Sequence, residues 1–356
     1  MKNILTVGAA LMLTTTAATA GGIDRSGQSI GAIFEDGKYV ELSYGYVTPS
    51  VSGAVGAGTV SSGNVAGSYG SAGLAFKTDI DDKVSLALII DQPFGAGVSY
   101  TETDLGYPLT GTNATIESVA TTVLGRYKFN DNMSVYFGPR YLAARGDYTR
   151  QVLSGITPVP AYAYNSTYST GKGTGYVAGA AYERTDIAMR VALTYSSAIE
   201  LELDGTTGDL SAKMPETVNL EFQSGVAANT LVFGSVRWAN WSEGYLTDSD
   251  PRVGELVDWS DTVTYTLGVG RKLTDNFSGA VTVGYEAGDG EDASNLSPTD
   301  GYTSIAVGGT YTMGNGVELT GGVRYVMVGD ATTKTIGAEF ADNSAVAIGL
   351  KVAYTY

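Results

Sequence analysis

From Lys38 to Tyr356, apolar side chains recur at every second position. In the closing stretch AVAIGLKVAYTY, Val346, Ile348, Leu350, Val352, Tyr354 and Tyr356 share one face. Ala345, Ala347, Gly349, Lys351, Ala353 and Thr355 share the other. Successive side chains on a strand point to opposite sides, so the pattern predicts a β-strand with one apolar face and one small or polar face. The same period appears in Val40, Leu42, Tyr44 and Tyr46, and in Val84, Leu86, Leu88 and Ile90. It recurs in Thr121, Val123, Tyr127 and Phe129, and in Ile187, Met189, Val191, Leu193 and Tyr195. It appears again in Met133, Val135, Phe137 and Tyr141, in Val263, Tyr265, Leu267 and Val269, in Phe277, Val281, Val283 and Tyr285, and in Val317, Leu319, Val323, Tyr325 and Met327. With weaker runs at 69–77, 170–183, 216–226, 231–240 and 302–313, the chain holds about fourteen strands.

The connectors alternate in length. Short ones rich in Asp and Asn lie at 79–82, 130–132, 184–186, 227–229, 274–276 and 314–316. Long ones lie at 49–67, 102–112, 152–163, 197–212, 242–260, 288–300 and 330–344. This sorting requires an even number of strands, with both ends of the barrel sequence on the short-turn side. It is the asymmetry of bacterial outer-membrane barrels, which have tight periplasmic turns and longer outside loops. An apolar strand left at an open edge invites aggregation. A closed barrel turns that face to lipid and pairs the last strand with the first. The expected fold is therefore all-β: a transmembrane antiparallel β-barrel over 38–356.

Composition agrees. Only 16% of the 356 residues are charged, against about 25% in a typical soluble domain, and no stretch has the ~20 consecutive apolar residues of a membrane helix. Residues 1–20 read as a secretory signal peptide, with Lys2 at the start, a short apolar core and Ala18-Thr19-Ala20 as the cleavage site. Cleavage after Ala20 is expected, and the intact mass of the purified protein checks it: a mass retaining residues 1–20 contradicts it. Loss of Lys2 takes the net charge from −16 to −17, which argues against a nucleic-acid partner. With no Cys there are no disulfides, and with no His there is neither a Ser-His-Asp triad nor a His-ligated zinc. No enzyme activity and no cofactor are expected. The acidic runs Asp248, Asp250, Glu255, Asp258 and Asp261, and Asp289, Glu291 and Asp292, lack the spacing of a calcium loop and read as solvated loop charge, not a metal site.

Three sets of residues stand out. Residues 21–37 are not strand-like; Ile23, Ile30, Ile33 and Phe34 are apolar among Gly, Ser and charged residues, and Ile30, Ile33 and Phe34 suggest a short N-terminal hatch or plug. Arg126, Arg140, Arg190 and Arg324 alternate with outward apolar neighbours and so face the lumen, where they either meet an anionic headgroup or brace the barrel through ion pairs. After the apolar strand from Val84, the sequence Asp91-Gln92-Pro93-Phe94-Gly95-Ala96-Gly97 interrupts the pattern. Proline cannot donate to a ladder and glycine marks bends, so this is either an ordinary strand end or a break in the wall.

Lys213-Met214-Pro215-Glu216-Thr217, the stretch VFGSVRWANWS at 232–242, Pro93-Phe94-Gly95 and Ser297-Pro298-Thr299-Asp300-Gly301 resemble the FadL/TodX outer-membrane transporters of long-chain fatty acids and other hydrophobic compounds. The resemblance extends over essentially the whole chain after the signal. It implies fourteen strands, an N-terminal hatch inside the barrel, and passive uptake with lateral release through a kinked third strand at Pro93, Phe94, Gly95 and Gly97. It also implies a multi-pass place in the bacterial outer membrane. The partners it implies are the hydrophobic ligand, outer-membrane lipid, and the barrel-assembly machinery engaged through the last strand. The family's hatch is longer and carries an Asn-Pro-Ala motif, absent here. The alternative function is a general diffusion porin or a structural barrel displaying its loops as a receptor.

Overall fold

A computed structural model of the chain describes residues 22–152 and 162–356. Residues 1–21, which include the expected signal peptide, and most of the connector at 152–163 lie outside the described residues. The wall has fourteen strands: β1 (Tyr39–Ser50), β2 (Tyr69–Asp79), β3 (Val84–Asp91 continued by Gly95–Ser99), β4 (Asn113–Lys128), β5 (Met133–Val152), β6 (Tyr162–Arg184) and β7 (Met189–Ser196). They continue as β8 (Thr217–Ala227), β9 (Thr230–Ala239), β10 (Thr262–Lys272), β11 (Phe277–Glu286), β12 (Tyr302–Thr312), β13 (Val317–Val328) and β14 (Ser344–Thr355). Each pairs antiparallel with its chain neighbour, and β1 pairs with β14 from Tyr39↔Thr355 to Ser50↔Ser344, which closes the barrel.

The alternation fixes which way side chains point. In β14, Leu350 is 66% exposed on the outer surface while Ala347 is 1% exposed on the inner one. Closure needs small residues where strands approach: Gly45 faces Gly349 across the seam. On the inner face, Lys351 pairs with Glu41 at 3.3 Å. A charge inside the wall avoids the roughly 2–4 kcal/mol that it would cost against lipid at mid-depth.

β5 and β6 run well past their apolar bands. Beyond the band the alternation inverts: Arg145 and Glu117 form an exposed outer ion pair, whereas Tyr148, Tyr164 and Tyr168 turn inward and are buried. The rule that outward means apolar holds only where lipid is the neighbour, which is why the sequence period stops before the strands do.

The long connectors fold on themselves. Ile199–Leu203, Leu210–Met214 and Tyr245–Asp248 form one small sheet, and Ser52–Val55, Val60–Asn64, Ala331–Thr332 and Glu339–Phe340 another. The first packs Leu201, Leu210, Met214 and Leu246 against inward residues of β4, β5 and β6, including Ile116, Leu142 and Tyr168. Residues 22–38 lie inside the wall. Their short 3₁₀ turn, Gly31–Phe34, buries Ile33 and Phe34 against inward Ala75, Leu124 and Tyr136.

Candidate functional site: an opening in the wall

β3 is interrupted by one residue too many. Asp91 pairs with Ala120 of β4 and Gly95 with Glu117, so three residues of β3 stand opposite two of β4. This is a bulge, and Pro93 with no N–H sits at its centre. The Ser118 hydroxyl accepts from the Phe94 N–H (3.0 Å) and donates to the Phe94 carbonyl (2.6 Å), holding the bulge in place.

On its other side β3 loses its partner. β2 pairs with β3 only from Leu74↔Ile90 to Asp79↔Ser85. Among the wall strands, residues 69–73 of β2 pair with β1 alone, and Gly95–Ser99 pairs with β4 alone. Between residues 69–73 and 92–97 the wall is open. It is bounded above by the bridge Ala66↔Val98 and the bond from Gly67 N–H to the Gly97 carbonyl (3.2 Å). The Gln92 side-chain oxygen reaches across to the Ala72 N–H (2.8 Å).

Backbone groups at such an opening need partners, since hydrocarbon offers none. The N-terminal segment supplies them from inside. Arg25 N–H donates to the Pro93 carbonyl (2.7 Å) and Gly95 N–H to the Ile23 carbonyl (2.8 Å), an antiparallel bridge centred on Asp24 and Phe94. The Arg25 guanidinium lies 4.0 Å over the Tyr69 ring. It also sits where a side chain on Gly95 would stand: a Cβ there would be 2.6 Å from its Cζ. A Cβ on Gly97 would meet nothing within 4 Å.

From this bridge the segment descends through a polar belt. Asp24 pairs with Arg237 of β9, Ser26 donates to Asp91, and Arg140 donates to Gln28 and, at 2.8 Å, to Thr122. Asp24, Ser26, Gln28 and Arg140 are all buried. Further down, Arg126 pairs with Glu183 and donates to Ser134 (3.0 Å). Arg126 and Arg190 lie on the Phe34 ring, 4.7 and 4.5 Å from its centroid. Phe34 in turn meets Tyr136 edge-on at 5.6 Å. Arg324 lies near Tyr302 and Tyr69. The structure thus brings Arg126, Arg190 and Phe34 together, Arg140 to the segment above them, and Pro93, Phe94 and Gly95 to the bridge.

Among the described residues, three cavities above the belt share lining residues. An outer groove of about 200 Å³ lies among the connectors, lined by Leu109, Tyr148, Arg150, Leu256, Leu296 and Lys334 among others. Asp258 beside Lys334 raises that ammonium's pKa. A second, apolar cavity of about 40 Å³ is lined by Ile23, Ile116, Tyr148, Tyr168, Leu246 and Trp259. A third of about 80 Å³ lies at the opening itself, against Arg25, Tyr69, Gly95, Gly97 and Val98. Tyr148, Leu256, Val257 and Leu296 line both of the first two. Ile23, Ala96, Val98, Leu296 and Ser297 line both of the last two. The three form a row from the outer loops to the break in the wall. None of the four lumen arginines singled out in the sequence lines any of them.

Asp24, Arg25, Arg237 and Leu296 were not legible as site residues in the sequence. For Asp24 and Arg25 the available signal was a charge pair beside the apolar Ile23 in a glycine-rich stretch. Leu296 carries no local signal.

The family model described as outer membrane protein transport protein (OMPP1/FadL/TodX) matches residues 22–356. Among solved structures, a Pseudomonas aeruginosa FadL homologue is 15% identical with a TM-score of 0.76, covering 98% of each chain. The P. putida toluene transporter TodX is 12% identical (TM-score 0.70), covering 97% of this chain and 99% of that one. The Ralstonia pickettii toluene transporter TbuX is 13% identical (TM-score 0.64), with full coverage of both. At such identities these structures speak for the fold. No curated protein sequence matches.

Proposed function

Because the chain belongs to the OMPP1/FadL/TodX family of outer-membrane transport proteins, we propose that it takes up long-chain fatty acids or similar hydrophobic molecules passively and releases them sideways, into the membrane, between residues 69–73 and 92–97. The observation that carries this is the row of cavities ending at the opening. A ligand moving straight down from the apolar cavity meets Asp24, Arg237, Asp91 and Arg140. Beyond them lies the aqueous periplasm, where an acyl chain loses about 0.8 kcal/mol per exposed CH₂. A sideways exit at the level of Phe94 avoids both. Residues 21–37 act as the hatch in this proposal: the bridge to Phe94 completes the wall at rest. Arg126, Arg140 and Arg190 then serve to hold that segment, the bracing role, and do not receive a headgroup.

The test is uptake of labelled oleate and labelled toluene by cells with and without the protein, beside ion conductance in planar bilayers. Uptake of either probe above the control, with little conductance, supports a hydrophobic transporter. Free passage of ions and sugars without such uptake would favour the porin reading.

A further inference from the structure

We propose that Leu296 is the constriction that divides this row of cavities and sets the girth of what passes. The inference rests on the transport reading above and adds to it a residue and a class of ligand. Leu296 lines all three cavities: the outer groove, the apolar cavity and the space at the opening. A molecule passing from the loops to the wall must move past this one side chain, which is half buried against the apolar cluster.

A constriction selects only if it is held. The connector from Ala287 to Gly301 is tied on both sides of Leu296. The Tyr100 hydroxyl donates to the Asn295 carbonyl (2.6 Å). Leu296 N–H donates to the Ser294 hydroxyl (3.2 Å), which donates to the Leu256 carbonyl (3.2 Å). Ala293 N–H donates to the Thr332 carbonyl (2.7 Å) and the Ala293 carbonyl accepts from Lys334 N–H (3.0 Å), in a parallel bridge. Lys334 itself pairs with Asp258. After Leu296, Pro298 is buried and fixes the backbone on its other side. Backbone ties to three separate connectors leave the side chain as the movable part, and a leucine has few rotamers.

The geometry selects slender ligands. An unbranched acyl chain or a single aromatic ring, about the width of the leucine it displaces, can share the passage by a rotamer change. A fused polycyclic hydrocarbon needs the connector to move and break these ties. Volume changes of this kind in an apolar site shift discrimination by about tenfold or more.

The experiment compares wild type, Leu296→Ala and Leu296→Phe in cells taking up labelled oleate, toluene or pyrene. Leu105→Phe, at a fully exposed loop position, is the control. Heat-modifiability and surface level confirm that each barrel assembles. Leu296→Ala is expected to raise the ratio of pyrene to oleate uptake about tenfold, and Leu296→Phe to lower oleate uptake about tenfold. Oleate binding by the purified Leu296→Phe protein should fall less than uptake does, since the outer groove keeps its other lining residues, Leu109, Tyr148 and Leu256 among them. Wild-type uptake of oleate or toluene with no change in either variant overturns the constriction alone. If wild type takes up none of the probes, the transport reading falls and the constriction falls with it.

Discussion

Gly97→Phe is expected to stop uptake while leaving the barrel assembled. A Cβ at Gly97 meets nothing within 4 Å, so the backbone accepts a side chain there. The phenyl ring then fills space beside Gly97 at the opening, just below the bridge Ala66↔Val98, where residues 69–73 have no ladder to β3. Gly95→Val acts differently. Its Cβ would stand 2.6 Å from the Arg25 guanidinium, the end of a flexible side chain, so Arg25 must leave the Tyr69 ring. That change disturbs the plug as well as the opening. Gly314→Phe is the control: its Cβ also meets nothing, but it lies in a short turn at the other end of the barrel. Oleate uptake should fall about tenfold or more in Gly97→Phe, an added barrier of about 1.4 kcal/mol per factor of ten. Equilibrium binding by purified protein should hold, and Gly314→Phe should behave as wild type. Undiminished uptake by an assembled Gly97→Phe barrel would remove the sideways exit.

Local period was enough to read the wall, and long-range pairing was needed for the site. Val40, Leu42, Tyr44 and Tyr46 announce β1 because lipid demands an apolar side chain at each outward position and nothing else demands one inward. The alternation of short and long connectors gives the even strand number without any tertiary fact. Pro93 and the glycines after it mark an interruption. That the interruption is one extra residue depends on where β4 stands opposite, from Ala120 to Glu117, and no local pattern encodes it. Of the apolar residues Ile23, Ile30, Ile33 and Phe34 in the N-terminal segment, the last three pack together below the belt. The residues that meet the opening are Ile23, Asp24 and Arg25, joined to Phe94 mainly by backbone bonds that any side chains could make. Leu296 owes its position to ties from Tyr100, Leu256 and Thr332, each distant in sequence.

Deleting residues 23–28 is expected to turn a closed barrel into an open pore. The segment adds no rung to the ladders between neighbouring wall strands, and closure by β1 and β14 does not involve it. The wall should therefore still form. What the deletion removes is the inner side of the belt: Asp24 from Arg237, Ser26 from Asp91 and Gln28 from Arg140. Breaking a buried ion pair from one side costs about 3–5 kcal/mol when the remaining charge stays dry. Here the remaining charges line a lumen that can flood, so water entry is the cheaper outcome. The Pro93 carbonyl and Gly95 N–H lose their partners at the same time and also demand water. Single-channel current in planar bilayers reads the result. Wild type should be nearly silent, and the deletion should give steady ion conductance. Asp24→Asn keeps the backbone bridge and removes only the charge, so it should leak less than the deletion. A deletion variant that assembles and stays silent would show that residues 23–28 do not block the lumen. The 3₁₀ turn, with Phe34 held between Arg126 and Arg190, would then have to be the barrier.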